Sequence, residues 1–495
     1  MDGPGEMNCL TDDKLNPVFY KGLLIEGKKS GEGILVWENG AKYEGDFEKN
    51  QKHGFGVLTY SKEDEKDFYE GHWKDDSMSG NGKLVWKNGS KYEGDFINGQ
   101  RHGDGVFTYS EEDKRDFYEG PFKKDRMSGT GKLVWKGGDL YWGDFENDQI
   151  NGFGVFVFSK EGIVDSYEGH WKNNKYSGKG KLVFKNGGKY EGDFENNQYN
   201  GFGIFTYSKE DERDFYEGHL KDNKYSGKGQ IFFKKGSKYQ GDFENNQYNG
   251  LGTYTFSKES IFDFYEGHWK NDKQSGKGKC MWKTGEQFEG DFENDQINGF
   301  GVFIFSKEDE RDFYEGHWKD GKKSGKGKFV WKNGEKYEGD FENDQYNGFG
   351  TFTCSKENIS NFYEGHWKDS MESGKGKLVW KDGEKYEGDF ENGLRHGFGC
   401  NTYAKESISD FYEGHWKNGK TSGKGKLVFK DGEKYEGAFE NNQYNGFGTF
   451  TYSKESIWES YEGHWKDDKK SGKGKLVFKN GTKKEGIFEN GFFKH

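Results

Sequence analysis

One unit of 49 residues, repeated along the chain, decides the fold. It consists of YEGHWKNNKYSGKGKLVFKNGGK at residues 167–189, followed by YEGDFENNQYNGFGIFTYSKEDERDF at residues 190–215. The Y-x-G signature, with a few variants of its first residue, returns at alternating intervals of 23 and 26 residues, so that nine doublets lead from Tyr20 to Tyr461. Self-similarity at a fixed period is the signature of a repeat array.

Each unit has the pattern of a β-hairpin. Tyr190, Gly192 and Phe194 alternate with two acidic residues, which is the periodicity of a half-buried strand. The polar residues 195–200 predict a turn, and residues 201–207 predict the return strand. The shorter units end in turns such as Asn186-Gly187, which favour positive φ, and the longer units end in a loop such as residues 208–215. The pattern therefore predicts consecutive antiparallel hairpins that form one ribbon.

Paired glycines follow the Y-x-G start at 11 and 13 residues in 19 of the 20 units, as at Gly201 and Gly203. Because glycine weakens a strand, a strict G-x-G requires a reason, and we expect it to provide space for aromatic rings that lie across the backbone. The predicted structural face comprises Tyr167, Gly169, Trp171, Gly178, Gly180, Tyr190, Gly192, Phe194, Gly201, Gly203 and Tyr207.

The repeat resembles a known family. Residues 314–334, YEGHWKDGKKSGKGKFVWKNG, are similar to the MORN repeat (membrane occupation and recognition nexus), and the resemblance extends over residues 20–495. It implies an all-β fold: an elongated, single-layer antiparallel β-hairpin solenoid that forms a twisted rod or trough. We expect a flexible polar leader at residues 1–19 and a single array of 20 repeats at residues 20–495, the last one truncated. Local departures from the pattern include Pro121, Leu220 and Ala438.

Composition alone favours disorder, since 30% of the residues are hydrophobic, the mean hydropathy is -1.18 and 79 residues are glycine. The strict period argues otherwise, and the aromatic content of 18% indicates that rings bury the surface that aliphatic side chains bury elsewhere. The net charge of the chain is -12. Basic and acidic units alternate along it, so opposite charges can meet across neighbouring strands. This alternation argues against nucleic acid as a partner.

The four cysteines, Cys9, Cys280, Cys354 and Cys400, lack the spacing of a disulfide framework or a metal site, which predicts free thiols in a reducing compartment. No apolar run has the length of a membrane span, and no signal peptide is evident. We expect a cytoplasmic location, at the cytoskeleton, in the cilium or on the cytoplasmic face of a membrane, without secretion or a transmembrane segment.

No catalytic, cofactor-binding or metal-binding residues are predicted. Histidines such as His170 and His219 recur at one position of the doublet, and successive members lie four strands apart, about 19 Å, which is too far to share an ion. Repetition also argues against an active site, because an active site is singular.

Two sets of side chains are candidates for binding. Lys179 and Lys181 recur on the basic hairpins, where they contact anionic lipid or form a solvated face that balances acidic neighbours. The long loops differ most between doublets, and their apolar tips either bind partners or fold back over the sheet. These tips are Ile163, Val164, Ile261, Phe262, Ile359, Ile408, Ile457 and Trp458.

The resemblance implies a non-enzymatic scaffold that binds proteins of a cytoskeletal or ciliary assembly, of the radial-spoke kind. Alternatives are a tether to phosphoinositide or other anionic membranes, and a regulatory partner of a phosphatidylinositol phosphate kinase. An unpaired edge at the last repeat would also favour a homodimer through the terminal repeats.

Overall fold

The computed structural model describes residues 3–8 and 17–494, and these residues contain strands and turns but no helix. The chain divides into two compact units, Met1–Gln247 and Tyr248–His495. Each unit is described by itself.

Strands of 6 to 10 residues alternate with short turns in both units, apart from two strands of 2 residues. The strands that belong to the first unit are β1 (Gly3–Asn8), β2 (Pro17–Ile25), β3 (Lys28–Trp37), β4 (Lys42–Glu48), β5 (Gln51–Thr59), β6 (Lys66–Lys74), β7 (Ser77–Trp86), β8 (Lys91–Ile97), β9 (Gln100–Thr108), β10 (Arg115–Lys123), β11 (Arg126–Met127), β12 (Gly129–Trp135), β13 (Leu140–Glu146), β14 (Gln149–Val157), β15 (Val164–Lys172), β16 (Lys175–Phe184), β17 (Lys189–Glu195), β18 (Gln198–Thr206), β19 (Arg213–Lys221), β20 (Lys224–Phe233) and β21 (Lys238–Glu244).

The strands that follow, in the second unit, are β22 (Gln247–Thr255), β23 (Phe262–Lys270), β24 (Lys273–Trp282), β25 (Gln287–Glu293), β26 (Gln296–Ile304), β27 (Arg311–Lys319), β28 (Lys322–Trp331), β29 (Lys336–Glu342), β30 (Gln345–Thr353), β31 (Ser360–Lys368), β32 (Met371–Trp380), β33 (Lys385–Glu391), β34 (Leu394–Thr402), β35 (Ser409–Lys417), β36 (Lys420–Phe429), β37 (Lys434–Glu440), β38 (Gln443–Thr451), β39 (Trp458–Lys466), β40 (Lys469–Phe478), β41 (Lys483–Glu489) and β42 (Phe492–Phe493).

Within each unit, strands that follow one another in the chain pair antiparallel, so that β16 pairs with β15 and β17, and β36 pairs with β35 and β37. The predicted all-β fold of antiparallel hairpins is thereby confirmed. The rod or trough shape of the whole chain, and its organisation as a single array, stay predictions.

The segment predicted as a flexible leader contains a strand. In β1, Gly3 lies opposite Leu24 and Asn8 lies opposite Phe19 of β2. The composition of this segment offers no strand signal, because Gly3, Pro4 and Gly5 all disfavour strands. Its pairing depends on the exposed edge of β2 and not on local preference. Residues 1–2 and 9–16, and with them Cys9, lie outside the described residues.

In each unit, a row of buried aromatic rings covers one face of the sheet. Tyr167 and Tyr190 have no exposed surface, and Trp171 and Phe194 are also buried. Tyr167 meets both Trp171 and Phe194 edge-on, with 5.1 Å between ring centroids in each pair. Each tyrosine therefore joins its own hairpin to the next one, and edge-to-face pairs of this kind stabilise a fold beyond their buried area.

The two glycines of G-x-G have different roles. At Gly203, a Cβ would lie 2.5 Å from Cε2 of Tyr190, so the ring occupies the space that a side chain would need. Gly192, opposite Gly203, is packed against the same ring. Gly201 has φ 107°, and the pairing of β17 with β18 shifts register beside it. The expected reason therefore holds for Gly203, whereas Gly201 is required for a bulge.

The turns also differ from the prediction. The return strand begins at Gln198, because the two-residue turn is confined to Asn196 and Asn197, whose φ values are 51° and 69°. At Asn186-Gly187, only the glycine has positive φ, and a hydrogen bond from Phe184 N to Gly188 O closes the turn. Asparagine tolerates left-handed φ at little cost, which explains why Asn196 and Asn197 form a two-residue turn within the predicted polar stretch.

We predict that Gly203→Ala destabilises the first unit by about 2 kcal/mol or more, because the new methyl group would overlap the buried ring of Tyr190. Urea denaturation followed by tryptophan fluorescence measures the effect. Gly137→Ala is the matched control, since a Cβ at Gly137 meets nothing within 4 Å. Equal midpoints for the two variants would contradict the packing of the ring on the glycine.

Candidate protein-binding surfaces

The sheet face opposite the tyrosines carries clefts that recur with the repeat. In the first unit, a cleft of 530 Å³ has glycines 169, 180, 192 and 203 at its floor and Phe153 and Phe202 among its walls. Equivalent clefts in the second unit have volumes of 460 Å³ and 630 Å³. The floor is bare because glycine presents no side chain on either face.

An aspartate organises the bulge beside this cleft. Asp193 Oδ2 accepts a hydrogen bond of 3.1 Å from Phe202 N, the amide between the two glycines. Asp193 Oδ1 pairs with Lys179 Nζ at 2.9 Å. The same carboxylate therefore fixes the bulge and connects the acidic hairpin to the basic hairpin before it. This role could not be predicted from the alternation of apolar and acidic residues, because that pattern indicates only that Asp193 lies on the outer face.

The recurring histidines have a structural role on the same face. His170 Nδ1 lies 3.1 Å from Lys179 O, and since a carbonyl only accepts, Nδ1 carries the hydrogen. The ring of His170 also meets Phe153 edge-on, with 5.5 Å between centroids. Within residues 3–8 and 17–494, no group of three His, Cys, Asp or Glu side chains is arranged to hold a metal ion.

The structure places the two candidate lipid-binding lysines beside acids. Lys179 pairs with Asp193, and Lys181 lies opposite Glu168 on one side and Glu191 on the other. The equivalents of Lys179 pair in the same way at 2.7 to 2.8 Å with Asp242, Asp291, Asp340 and Asp389. Opposite charges therefore meet across strands, as expected, and the lysine row has an acidic counterpart.

The eight candidate loop residues divide into two groups. Val164, Phe262 and Trp458 are half-buried within strands, and Phe262, for example, packs against Trp282 at 5.5 Å. The five isoleucines project instead into solvent, with exposures between 69% and 81%: Ile163, Ile261, Ile359, Ile408 and Ile457.

The backbone of each isoleucine tip is held by the next hairpin. Lys430 N donates to Ile408 O at 3.1 Å, and Lys430 Nζ donates to Ala404 O at 2.8 Å across the same loop. Loops with a glutamate at the equivalent position are held by the same backbone bond, since Lys234 N donates to Glu212 O at 3.0 Å. The loop conformation is therefore independent of the side chain at its tip.

The acidic loops contain an additional ion pair. Arg213 Nε and Nη2 donate to Asp211 at 2.9 and 2.8 Å, and the guanidinium lies 4.0 Å from the centre of the Tyr207 ring. These hydrogen bonds lower the pKa of Asp211 to about 2. Asp113 and Arg115 repeat the arrangement, and the pKa of Asp113 is likewise about 2.

Three cysteines lie within the described residues, and all three are free thiols. Burial raises the pKa of Cys280 to about 12, and burial also raises the pKa values of Cys354 and Cys400. A raised pKa disfavours the thiolate, so these side chains act as small apolar groups.

The described part of the chain has no helix that is long and apolar enough to cross a membrane.

The model of the MORN repeat matches nineteen segments of the chain, from residues 20–42 to residues 461–483, and these segments follow the observed hairpins. The chain belongs to the MORN repeat family. The recognised family is that of a structural repeat, and MORN repeats occur in scaffolds that interact with proteins or membranes. No curated protein matches this MORN chain.

Two solved structures match the chain with low similarity. The TCP domain of SAS-4 from Drosophila melanogaster, in complex with a proline-rich motif of Ana2, is 12% identical; the match covers 42% of this chain and 77% of that chain, with a TM-score of 0.11. A catalytically inactive virginiamycin B lyase from Staphylococcus aureus with quinupristin is 10% identical, with coverage of 61% and 96% and a TM-score of 0.12. Scores of this size support no inference about this MORN array.

We predict that the carboxyl group of Asp211 titrates with a midpoint near pH 2, followed by the NMR shift of its carbon. Because its pKa in the folded loop lies below the ordinary value of about 4, the interaction stabilises the loop above pH 4 and is lost as the pH falls towards 2. Arg213→Met is the control and should return the midpoint to about 4. An ordinary midpoint in the unmodified chain would show that the ion pair does not form.

Proposed function

We propose that this chain is a non-enzymatic scaffold that binds other proteins through the exposed isoleucine tips of its long loops. The observation that carries the proposal is that the loop keeps one conformation whether isoleucine or glutamate occupies its tip. The backbone bond from Lys430 N to Ile408 O has its counterpart in the bond from Lys234 N to Glu212 O.

The fold does not require an apolar residue at these tips. A side chain that is about three-quarters exposed buries little surface within its own chain, so isoleucine there contributes little to stability. Charged residues at the same position, such as Glu212 and Glu310, are the ordinary choice for a solvated loop. Isoleucine at the tip is therefore better explained by contact with a partner.

The spacing of the tips indicates the kind of partner. In the second unit, Ile359, Ile408 and Ile457 occupy three successive doublets, and successive tips are four strands apart. At about 4.8 Å per strand, this corresponds to roughly 19 Å between neighbouring tips. A partner with apolar sites at a regular spacing, such as a polymer, would engage several tips together. The family resemblance points to a cytoskeletal or ciliary assembly of the radial-spoke kind.

The chemistry of the clefts supports a role without catalysis. His170 and Asp193 are both occupied by hydrogen bonds to the backbone, which serve the bulge and its neighbours. Equivalent bonds recur in other doublets, as at His317 and Asp340. Because these histidine and aspartate side chains recur with the repeat and bind the backbone, the requirements of the fold explain their presence.

We predict that replacing Ile359, Ile408 and Ile457 together by glutamate releases the chain from the detergent-insoluble cytoskeleton into the soluble fraction. The fold should be unchanged, because Glu310 already occupies the equivalent position between Ile261 and Ile359. Quantitative immunoblotting of the two fractions measures the shift, and thermal unfolding of the purified variant tests its stability.

Ile97→Glu serves as the matched control. Ile97 is half-exposed on β8 and lies outside the loops, at a position where other acidic units have glutamate, such as Glu195. This variant should stay in the insoluble fraction. If the triple variant fractionates like the unmodified chain, the tips do not mediate attachment.

A tether to anionic membranes, alone or as the partner of a phosphatidylinositol phosphate kinase, is the second candidate. It is favoured by the recurrence of Lys179, whose side chain is 75% exposed although it is paired. It is opposed by Asp193, which neutralises that ammonium group, and by the glutamates on both sides of Lys181. We therefore favour protein contacts over lipid contacts.

We predict that the chain shows no preference for vesicles that contain phosphatidylserine or phosphoinositide over neutral phosphatidylcholine vesicles. The reason is that each acidic neighbour lowers the positive potential which would attract an anionic surface. Flotation on a density gradient measures the bound fraction. Asp193→Asn together with Asp340→Asn frees two lysines and should increase binding to anionic vesicles. A marked preference of the unmodified chain would favour the membrane tether.

A further inference from the structure

Ala438 takes the place of an aspartate that eight other acidic units have. The aspartate three residues after the tyrosine accepts a hydrogen bond from the amide between the two glycines at 3.0 to 3.1 Å in six units. In five units, its other oxygen pairs at 2.7 to 2.9 Å with the lysine opposite. Ala438 has the place of this aspartate in β37.

The surrounding backbone is unchanged by the substitution. Lys424 lies opposite Ala438, as Lys179 lies opposite Asp193. Gly446 keeps positive φ, at 99°, and the pairing of β37 with β38 shifts register as it does in the other acidic units. The amide of Phe447 therefore keeps the backbone position that serves a carboxylate elsewhere, Lys424 keeps its place opposite, and the carboxylate is missing.

These groups line the cleft of 630 Å³, which is larger than the equivalent clefts of 530 Å³ and 460 Å³. The rings of Phe398 and Phe447, both about half-exposed, are among its walls. Four charged side chains line the cleft: Glu413, Lys424, Lys426 and Glu436. Lys426 lies opposite both glutamates across the strands, which leaves Lys424 as the lysine without an acidic residue opposite it.

We propose that the cleft at Ala438 binds a carboxylate from a protein partner, an aspartate or glutamate side chain, in the place that an aspartate of this chain has in eight other units. One oxygen of the incoming carboxylate accepts a hydrogen bond from Phe447 N, and the other pairs with Lys424 Nζ. The rings of Phe398 and Phe447 contact the aliphatic part of the same side chain.

The chemistry favours a carboxylate over a phosphate. The two donors are arranged for two oxygens on one carbon, as the bonds of Asp193 to Phe202 N and Lys179 Nζ demonstrate. A phosphate has more acceptor oxygens and is normally held by several donors or by an arginine fork. The apolar walls also favour a side chain with a methylene group next to its charge.

The site is independent of the isoleucine tips. It lies in the middle of the strands, whereas the tips lie in the loops. Neither Lys424 nor the amide of Phe447 forms a hydrogen bond that holds a tip. Binding at Ala438 can therefore be tested independently of the proposed attachment through the isoleucines.

Nuclear magnetic resonance of the full chain, with ¹⁵N-labelled phenylalanine, tests the proposal. Sodium acetate, added at constant ionic strength, should shift the Phe447 amide resonance saturably and leave unchanged the amide resonance of Phe349, which lies outside this cleft and already donates to Asp340. A capped Gly-Asp-Gly peptide should produce the same shift, and its Gly-Asn-Gly counterpart should not. Ala438→Asp should abolish the response, and Lys424→Gln should weaken acetate binding by about threefold, the loss expected for one exposed charge pair.

Several outcomes would overturn the inference. They are a Phe447 amide that does not respond to acetate, equal responses at Phe447 and Phe349, and a response to acetate without one to the aspartate peptide. Tighter binding of inorganic phosphate than of acetate would overturn the choice of carboxylate. The variant with Ile359, Ile408 and Ile457 replaced by glutamate should keep the acetate response, which separates this test from that of the proposed function.

Discussion

The contact of a tyrosine ring with glycine backbone is the constraint on which the fold depends. The ring of Tyr190 occupies the space beside Gly192 and Gly203, and its hydroxyl donates to Asp193 O at 3.0 Å. Burial without a second layer is achieved because the ring lies flat against strands that carry no side chain at that point. The ring also meets Phe194 edge-on at 5.0 Å. The core of each unit is thus a row of contacts between neighbouring hairpins, as in other repeat proteins.

Much of this arrangement could be predicted from the sequence, because period and alternation are local properties that packing does not override. The burial of Tyr190 and Phe194, the hairpins and the space required at Gly203 all follow from the pattern. The bulge at Gly201 could not be predicted, because the presence of glycine does not reveal whether the fold requires its small size or its positive φ. The strand at Gly3–Asn8 was missed for another reason: its residues disfavour strands, and only the edge of β2 provides its partners.

The candidate sites were predictable to a smaller extent, because they depend on register between hairpins. The sequence singled out Ile163 and Val164 together, but strand β15 begins at Val164, so one side chain is exposed and its neighbour is half-buried. Likewise, the positive charge of Lys179 was evident, whereas its pairing with Asp193 required the alignment of β16 with β17. Adjacent letters can therefore have opposite environments once strands pair.

Substitutions within the repeat have different physical consequences at different positions. Those at a loop tip alter only the exposed surface, whereas the one at Ala438 alters a potential binding site. At a loop tip, exchange of glutamate for isoleucine leaves every backbone hydrogen bond in place, as Glu212 and Ile408 show, so the change alters only what the surface offers to a partner. At Ala438, the loss of a carboxylate removes the acceptor for the Phe447 amide and for Lys424, while the register of their strands is unchanged. An exposed amide and ammonium group can bind water, so stability tolerates the loss. The amide of Phe447 and Lys424 retain the places in the strands from which their equivalents bind a carboxylate, and this arrangement distinguishes Ala438 from a merely tolerated substitution.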